Sequence, residues 1–192
     1  RINPRDAITV EAWVKSNING SYNTYWSVVS NYRSFILGPE SSGSSIMTFV
    51  VDTENENWSY LSHSSVDTPE KWHHFAGTYD ASKGVVNFYM DGELVAQKKV
   101  SGRLEYSEGN VHIGHRERDS IGDNHFNGQI KNVRIWNYAR SQEDIQNNMD
   151  VVIEEENRLL ASYPMIEKNS DILLDSTGNY NGQIYGSEYI EQ

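Results

Sequence analysis

The sequence has no cysteine, few prolines and no long apolar run. The 192 residues include only four prolines. The absence of cysteine excludes a disulfide scaffold, a thiolate zinc site and a cysteine nucleophile, although it does not fix the compartment. No apolar run approaches the roughly 18 residues that a membrane-spanning helix needs, and nothing resembles a signal peptide. Because residue 1 is Arg, we expect the chain to be part of a larger multidomain polypeptide.

Positive charge is also scarce. The chain carries 16 Lys and Arg against 27 Asp and Glu, which gives a formal net charge of −11. Such a surface would repel a phosphate backbone or an anionic membrane face over most of its area. We therefore expect no nucleic-acid partner and no membrane span.

Long helical periodicities are missing, and short alternating segments take their place. Residues 8–15 (ITVEAWVK) put Ile, Val, Ala and Val on one face, as expected of a strand over a core. Residues 72–79, 85–90 and 94–100 are joined by the turns DASKG and Asp-Gly, which predicts a meander. The pattern predicts an all-β domain, a two-sheet antiparallel β-sandwich.

Residues 111–149 contain a strand, a charged loop, a second strand and a short helix. The second strand, 129–138, alternates, with Val133 and Ile135 on one face and Ile130, Asn132, Arg134 and Trp136 on the other. Ser141 follows as a helix N-cap, and Glu143 and Asp144 favour the helix dipole in the first turn. We predict one short helix near 141–149.

Several segments together carry a resemblance to a known family. They read INPRDAITVEAWV, EKWHHFAGTYDASKGVVNFYMDGELV, HIGHRERDSIGD and FNGQIKNVRIWNYARSQEDI, and they span most of residues 2–146. This set resembles the laminin G-like and pentraxin-like group of concanavalin A-type jelly rolls. The resemblance implies two antiparallel sheets packed face to face, usually in a module that binds carbohydrate or a protein ligand.

The order of the C-terminal segment differs from that group. In relatives, a segment like residues 158–186 typically stands before the first strand, whereas here it comes last. We expect residues 1–192 to form a single laminin G-like jelly-roll domain in which residues 158–192 close the sandwich in a permuted position. The alternative is that residues 158–192 begin a next unit.

The charged loop does not match a catalytic motif. Retaining glucanases of the same jelly roll use Glu-x-Asp-x-x-Glu, in which one carboxylate acts as nucleophile and another as acid. Glu117 and Asp119 begin that pattern, but Gly122 stands at the position of the second Glu. We therefore expect no enzyme activity.

The same loop is a candidate calcium site. Pentraxins carry calcium ligands in a similar loop, and the resemblance matches Glu117 and Asp119 to acidic ligand positions, with Asp123 as a further ligand. The earlier pentraxin ligands have no counterpart, because the equivalent residues read NYRSF. In the alternative, Arg116 and Arg118 pair with these carboxylates. His115 and His125 flank the loop and offer a weaker zinc alternative.

A second calcium candidate lies near the end of the chain. Laminin G-like relatives often hold calcium in an Asp-x-x-Gly-Asn turn, which resembles Asp175 to Asn179 here. The alternative is a turn in which Asp175 accepts hydrogen bonds from its own backbone and no ion is needed.

Aromatic residues beside polar loops predict a sugar-binding surface. Tyr25 and Trp26 follow a Gly-Ser turn, and Trp58 and Tyr60 follow the polar segment DTENEN. Flat apolar faces beside hydrogen-bonding groups suit sugar rings, although Trp26 and Trp58 could equally be core residues. The predicted ligand-binding residues are Tyr25, Trp26, Trp58, Tyr60, His115, Arg116, Asp119 and Asp123.

These features predict a non-catalytic, lectin-like carbohydrate-binding module of a larger secreted or cell-surface protein. Its partner would be a glycan or a glycoprotein, and calcium is the expected cofactor. The alternative is a protein-binding adhesion domain, or a toxin receptor-binding domain, of the laminin G type.

Overall fold

The computed structural model describes residues 1–17, 27–39, 46–63, 71–115, 125–153, 156–166 and 170–187. Within these ranges the chain forms thirteen strands and one helix: β1 (Ala7–Ser16), β2 (Val29–Asn31), β3 (Phe35–Pro39), β4 (Met47–Val51), β5 (Ser59–His63), β6 (His73–Asp80), β7 (Val85–Met90), β8 (Glu93–Lys99), β9 (His112–Ile113), β10 (Gly128–Trp136), α1 (Gln142–Asn148), β11 (Leu159–Tyr163), β12 (Ile172–Leu173) and β13 (Gly182–Gln183). No helix in the described ranges has the length and apolar character needed to cross a membrane.

Two antiparallel sheets make up most of the described chain. The larger sheet has the order β11-β10-β1-β6-β7-β8, and the smaller sheet has the order β5-β4-β3-β2-β9. The short hairpin β12–β13 is separate from both. The predicted all-β, two-sheet antiparallel sandwich with one short helix near 141–149 is confirmed.

The core lies between the inner faces of the two sheets. Ile8, Val10, Ala12 and Val14 of β1 alternate into it and are at most 2% exposed, as their spacing predicts. The sheets pack closely at Gly77, where a Cβ atom would lie 2.1 Å from Cγ of Phe49 in β4. Phe49 therefore packs directly over the backbone of β6.

Strand β10 departs from simple alternation near Asn132. The pairing of β1 with β10 shifts register between Glu11 and Trp13, and Asn132 adopts a φ of 49°. Ile130 consequently pairs with Val14 and packs against the core. The prediction that Ile130 shares a face with Arg134 was wrong, because the bulge reverses the side-chain alternation on either side of it.

The helix begins where the sequence predicts. Ser141 Oγ accepts a hydrogen bond from the backbone N–H of Asp144 (3.1 Å), and the Asp144 carboxylate accepts one from the Ser141 N–H (3.3 Å). This reciprocal pair is a capping box. Ile145 is fully buried and packs with Ala76 and Tyr89 on the outer face of the larger sheet.

A buried ionic cluster joins this outer face to the helix region. Glu11, His74, Arg134 and Arg140 are all at most 3% exposed. One oxygen of Glu11 accepts hydrogen bonds from Trp136 Nε1 (2.9 Å) and Arg140 Nη1 (2.8 Å), and lies 2.9 Å from Arg134 Nε. Burial disfavours the charged carboxylate, but Arg134 and Arg140 offset that cost and hold the pKa of Glu11 below its usual value. Burial lowers the pKa of His74 to about 4, so its imidazole is neutral at pH 7.

The same two arginines donate hydrogen bonds to carbonyl groups of α1 and of the residues that follow it. Arg134 Nη1 donates to the carbonyls of Asn148 (3.0 Å) and Val151 (2.9 Å), and Arg140 Nη2 donates to that of Asp144 (3.1 Å). The last turn of α1 has no basic residue of its own. Arg134 of β10 therefore provides positive charge at the C-terminus of α1, where the helix dipole favours it.

The segment after the helix returns to the larger sheet. β11 pairs antiparallel with β10, in the register Val133 to Tyr163 and Ile135 to Ala161. Ala161 and Tyr163 thereby join the core. This pairing places residues 159–163 at one edge of the larger sheet. The assignment of residues 1–192 to a single domain stays a prediction.

Candidate functional site

A cleft of about 350 Å³ opens at one end of the smaller sheet. Three segments build it: the turn between β2 and β3, the loop between β4 and β5, and the segment that precedes β9. Its lining consists of three aromatic residues, two acids, one arginine and one amide: Tyr32, Trp58, Tyr106, Asp52, Glu105, Arg33 and Asn57. Trp58 was predicted as a ligand-binding residue, and the other six were not.

Asp52 holds the three segments together. Its backbone N–H donates to the carbonyl of Ser34 (2.9 Å), and its own carbonyl accepts from the N–H of Glu105 (2.8 Å). One carboxylate oxygen accepts from the backbone N–H of Trp58 (3.1 Å). The position of the Trp58 backbone is therefore coupled to the turn and to the Glu105 segment through one residue.

Two residues of the cleft adopt left-handed backbone conformations. Trp58 has a φ of 53° and Arg33 a φ of 68°. Arg33 is the third residue of the turn Asn31–Ser34, which is closed by a hydrogen bond from the Ser34 N–H to the Asn31 carbonyl (2.9 Å). Gly or Asn is favoured at such positions, and bulky residues there cost roughly 1–3 kcal/mol. Two strained backbone positions beside one cleft are typical of a binding site.

The aromatic rings form adjoining walls. The Tyr32 and Trp58 ring centroids lie 5.7 Å apart at an interplanar angle of 46°. Both rings are half-buried, and Tyr106 is 53% exposed. The guanidinium of Arg33 lies 5.9 Å from the centroid of the Tyr32 ring. The cleft thus offers apolar ring faces next to groups that donate and accept hydrogen bonds.

The carboxylates give the cleft negative charge. Asp52 is 6% exposed, and Glu105 is half-buried. The pKa of Asp52 is raised, mainly because the carboxylate is buried. The hydrogen bond from the Trp58 N–H lowers this pKa, the like charge of Glu105 raises it, and the charge of Arg33 lowers it by the smallest amount. Asp52 is therefore a poorly hydrated acid, and a cation bound beside it would stabilise its charged form.

Sequence reasoning missed the cleft because its residues come from separate segments. Tyr32 and Arg33 stand in the segment NYRSF, which draws attention only for lacking an acid. Glu105 and Tyr106 precede β9 without a motif. The bulky residue at the third position of a tight turn was the available signal, since such positions favour Gly or Asn.

Of the other predicted ligand-binding residues, Tyr60 and His115 lie within the described chain. Tyr60 lies in β5, is 44% exposed, and is not among the residues that line the cleft. Tyr25, Trp26, Arg116, Asp119 and Asp123 lie outside the described residues, as does Glu117 of the predicted calcium loop. The predictions for these six positions stay predictions.

His115 lies at the edge of the charged loop, in a row of three histidines. The rings of His112 and His115 lie 5.3 Å apart and those of His115 and His125 5.0 Å apart, and the latter two residues form an isolated β-bridge. Among the residues that the structure describes, no three His, Asp or Glu side chains are grouped so that they could hold a metal ion. Asp119 and Asp123 lie outside the described residues, so their role as metal ligands stays a prediction.

Asp175 accepts hydrogen bonds on both carboxylate oxygens. One oxygen accepts from the N–H groups of Ser162 (2.8 Å) and Thr177 (3.1 Å). The other accepts from the Thr177 hydroxyl (2.6 Å) and the N–H groups of Asn179 (3.2 Å) and Tyr180 (2.9 Å). This geometry is the hydrogen-bonded turn of the ion-free alternative, and it also ties the turn to β11.

The fold and its end-of-sheet cleft define a jelly-roll domain with a concave, aromatic-lined site. The chain belongs to the concanavalin A-like lectin/glucanases superfamily, because the Laminin_G_3 family model of that superfamily matches residues 1–146. Pappalysin-1 of Mus musculus is 24% identical over 164 residues, which cover 77% of this chain and 10% of that protein. The chain therefore spans about a tenth of the length of this curated relative.

Solved structures show the same fold at low sequence identity. A candidate carbohydrate binding protein from Bacteroides ovatus superposes with a TM-score of 0.77 at 19% identity, covering 93% of this chain and 51% of that one. The heptameric SAP-like pentraxin of Limulus polyphemus gives 0.54 at 16% identity, with 75% and 70% covered. The receptor binding domain of botulinum neurotoxin D gives 0.58 at 17% identity, with 74% and 36% covered.

Proposed function

We propose that this chain is a non-catalytic carbohydrate-binding module and that its glycan occupies the cleft around Trp58. The observation that carries the proposal is the conformation of Trp58. Its backbone is held in the left-handed region by Asp52 while its ring shares the cleft with Tyr32. Backbone strain of this kind persists where the surroundings over-determine it, as they do at ligand clamps.

The chemistry of the cleft suits a sugar. A pyranose presents an apolar face of C–H groups and a rim of hydroxyls, so it needs a ring to pack on and polar groups around it. Tyr32, Trp58 and Tyr106 supply ring faces, while Asp52 and Glu105 supply acceptors for hydroxyl protons. The volume of about 350 Å³ is at the low end of the roughly 300–1,000 Å³ typical of ligand pockets, which suits the terminal sugars of a glycan.

Several further properties belong to the same proposal. The module would be part of a larger secreted or cell-surface protein, as the likeness to a tenth of the length of pappalysin-1 suggests. The absence of a second Glu at Gly122 supports a binding role rather than a catalytic one. The likeness to a candidate carbohydrate binding protein supports a glycan as the partner.

The proposal is tested by glycan-array screening of the protein, followed by calorimetric titration with the best ligand. Trp58→Ala should weaken binding at least about tenfold, since the lost ring contact corresponds to about 1.4 kcal/mol or more. Trp72→Ala is the matched control, because Trp72 is also a half-buried tryptophan but packs under Lys131, 4.4 Å from its ring centroid, outside the cleft. This control should bind as the unmodified protein does.

Other results would point elsewhere. Equal losses in both tryptophan variants, or no glycan bound at all, would contradict the assignment. Capture of a receptor that persists after deglycosylation and in excess free sugar would favour the protein-binding adhesion or toxin receptor-binding alternative. Release of reducing ends from a bound glycan would reassign Asp52 and Glu105 to catalysis.

Calcium binding is a separate proposal with its own test. The proposed ligands are Glu117, Asp119 and Asp123 in the charged loop, and Asp175 with Asn179 in the C-terminal turn. An ion bound by the folded state alone raises the melting temperature as its concentration increases. Calcium at millimolar concentration should raise the melting temperature, and Asp119→Asn and Asp175→Asn should each remove part of the increase. No increase in the unmodified protein would contradict both sites.

A further inference from the structure

We propose that the cleft selects glycans whose terminal sugar carries a protonated amino group, that is, hexosamines without an N-acetyl group. This inference rests on the proposed function and adds the class of sugar. It follows from the balance of charge in the cleft and from the aromatic walls that surround the acids.

The cleft carries more negative than positive charge. Asp52 and Glu105 line it with formal charges of −1 each, and Arg33 is the only cation among the described residues that line it. The Arg33 side chain is exposed, and its guanidinium lies 5.9 Å from the centroid of the Tyr32 ring. Because solvent screens an exposed guanidinium, its charge compensates the two acids only in part.

The two acids also disfavour each other. Asp52 is 6% exposed, and both its burial and the nearby charge of Glu105 raise its pKa. A ligand cation at this position would stabilise both carboxylates, and it would compensate Asp52 for the hydration that burial has removed. A neutral hydroxyl can donate to the same oxygens, but it does not relieve their mutual repulsion.

The aromatic walls favour the same class of ligand. The π faces of Tyr32, Trp58 and Tyr106 carry negative electrostatic potential and attract an ammonium group, with Trp the strongest of the three residue types. Sialylated and sulfated sugars bring a negative charge into a cleft that already holds two carboxylates, on a chain of net charge −11. The site therefore favours cationic sugars and disfavours anionic ones.

Three oligosaccharide series with one backbone isolate the amino group. Oligomers of β-1,4-linked glucosamine, N-acetylglucosamine and glucose differ only in the C2 substituent, which is an amine, an acetamide or a hydroxyl. In calorimetric titration at about pH 6, where the amine is protonated, we expect the amine series to bind about tenfold more tightly than the other two. The preference should shrink when salt is added and when the pH is raised above the pKa of the amine.

Substitution at Glu105 tests which group is responsible. Glu105→Gln keeps the shape of the side chain and removes its charge, so the ratio of the affinity for the amine series to that for the glucose series should fall at least about fivefold. Glu108→Gln is the matched control, because Glu108 is an exposed acid three residues away that does not line the cleft. It should retain the full preference.

The outcomes separate this inference from the proposed function. Equal affinity for the three series, or a preference for the acetylated series, would overturn the selectivity and leave a carbohydrate-binding module. A preference for the amine that Glu105→Gln and Glu108→Gln reduce equally would also overturn it, because general surface attraction would then be the cause. Absence of binding to every glycan would contradict the proposed function itself.

Discussion

Glu11 is the residue whose charge the fold depends on most directly. Its carboxylate is fully buried beside two buried arginines, and it accepts hydrogen bonds from Arg140 and Trp136 while pairing with Arg134. Glu11→Gln keeps the volume but leaves two guanidinium groups without a counter-charge. Breaking a buried ion pair by removing one partner costs about 3–5 kcal/mol. Since Gln retains an acceptor oxygen, we expect a loss of about 3 kcal/mol.

This loss is measurable by heat and by urea. For a chain of this size, 1 kcal/mol corresponds to about 2–4 °C in melting temperature, so Glu11→Gln should melt about 6–12 °C lower. Urea unfolding followed by tryptophan fluorescence should show a lower midpoint with an unchanged slope. Glu143→Gln provides the control, because Glu143 is an exposed acid in the first turn of α1 whose removal should cost less than about 1 kcal/mol.

A second substitution tests the cause of the loss. If uncompensated charge destabilises Glu11→Gln, then adding Arg140→Met should cost less in the Glu11→Gln background than in the unmodified protein. Additive losses would show that packing rather than charge is responsible. A loss below about 1 kcal/mol in Glu11→Gln alone would refute the view that this carboxylate balances the arginines.

Three further predictions concern other buried groups. The free energy of unfolding should fall as the pH is lowered from about 6.5 to about 4, because the unfolded chain binds a proton on His74 that the folded protein excludes. His74→Gln should reduce this pH dependence in urea titrations at successive pH values. Gly77→Ala should destabilise the protein by about 1–3 kcal/mol, since its methyl group would overlap the Phe49 ring, and a compensating Phe49→Leu should recover part of that loss in thermal melts. Asp175→Ala should cost about 2–3 kcal/mol in urea unfolding with chelator present, because five hydrogen-bond donors lose their acceptor; an unchanged midpoint would show that the turn does not depend on these bonds.

Local pattern predicted the fold well where a strand has two distinct faces. The alternation of residues 8–15 predicted β1 correctly, since every second side chain is apolar and buried. Ser141 followed by acids predicted the start of α1, because capping is a contact within four residues. The bulge at Asn132 was not predictable from alternation, and it misplaced Ile130. Pattern succeeds here when the interaction that decides the structure is local.

The site depended on contacts that local pattern does not contain. Trp58 could be identified as a candidate because it follows a polar loop, but its neighbours Tyr32 and Glu105 lie far from it in sequence. The backbone hydrogen bonds of Asp52 to Ser34 and Glu105 bring these segments together. Glu11 was likewise assigned to the non-core face of β1, and its burial follows only from the packing of the helix region on that face.

The central position of β1 in the larger sheet has a consequence for folding during synthesis. β1 ends at Ser16, yet both of its neighbours come much later, at residues 73–80 and 128–136. At roughly 5–20 residues per second, a ribosome needs roughly 6–24 s to add residues 17–136. Until then at least one edge of β1 has no partner, and an unpaired apolar strand edge is a template for association between chains. Nascent chains of this domain should therefore depend on chaperone protection until β10 has emerged, and ribosome-bound chains halted before β10 should aggregate when released.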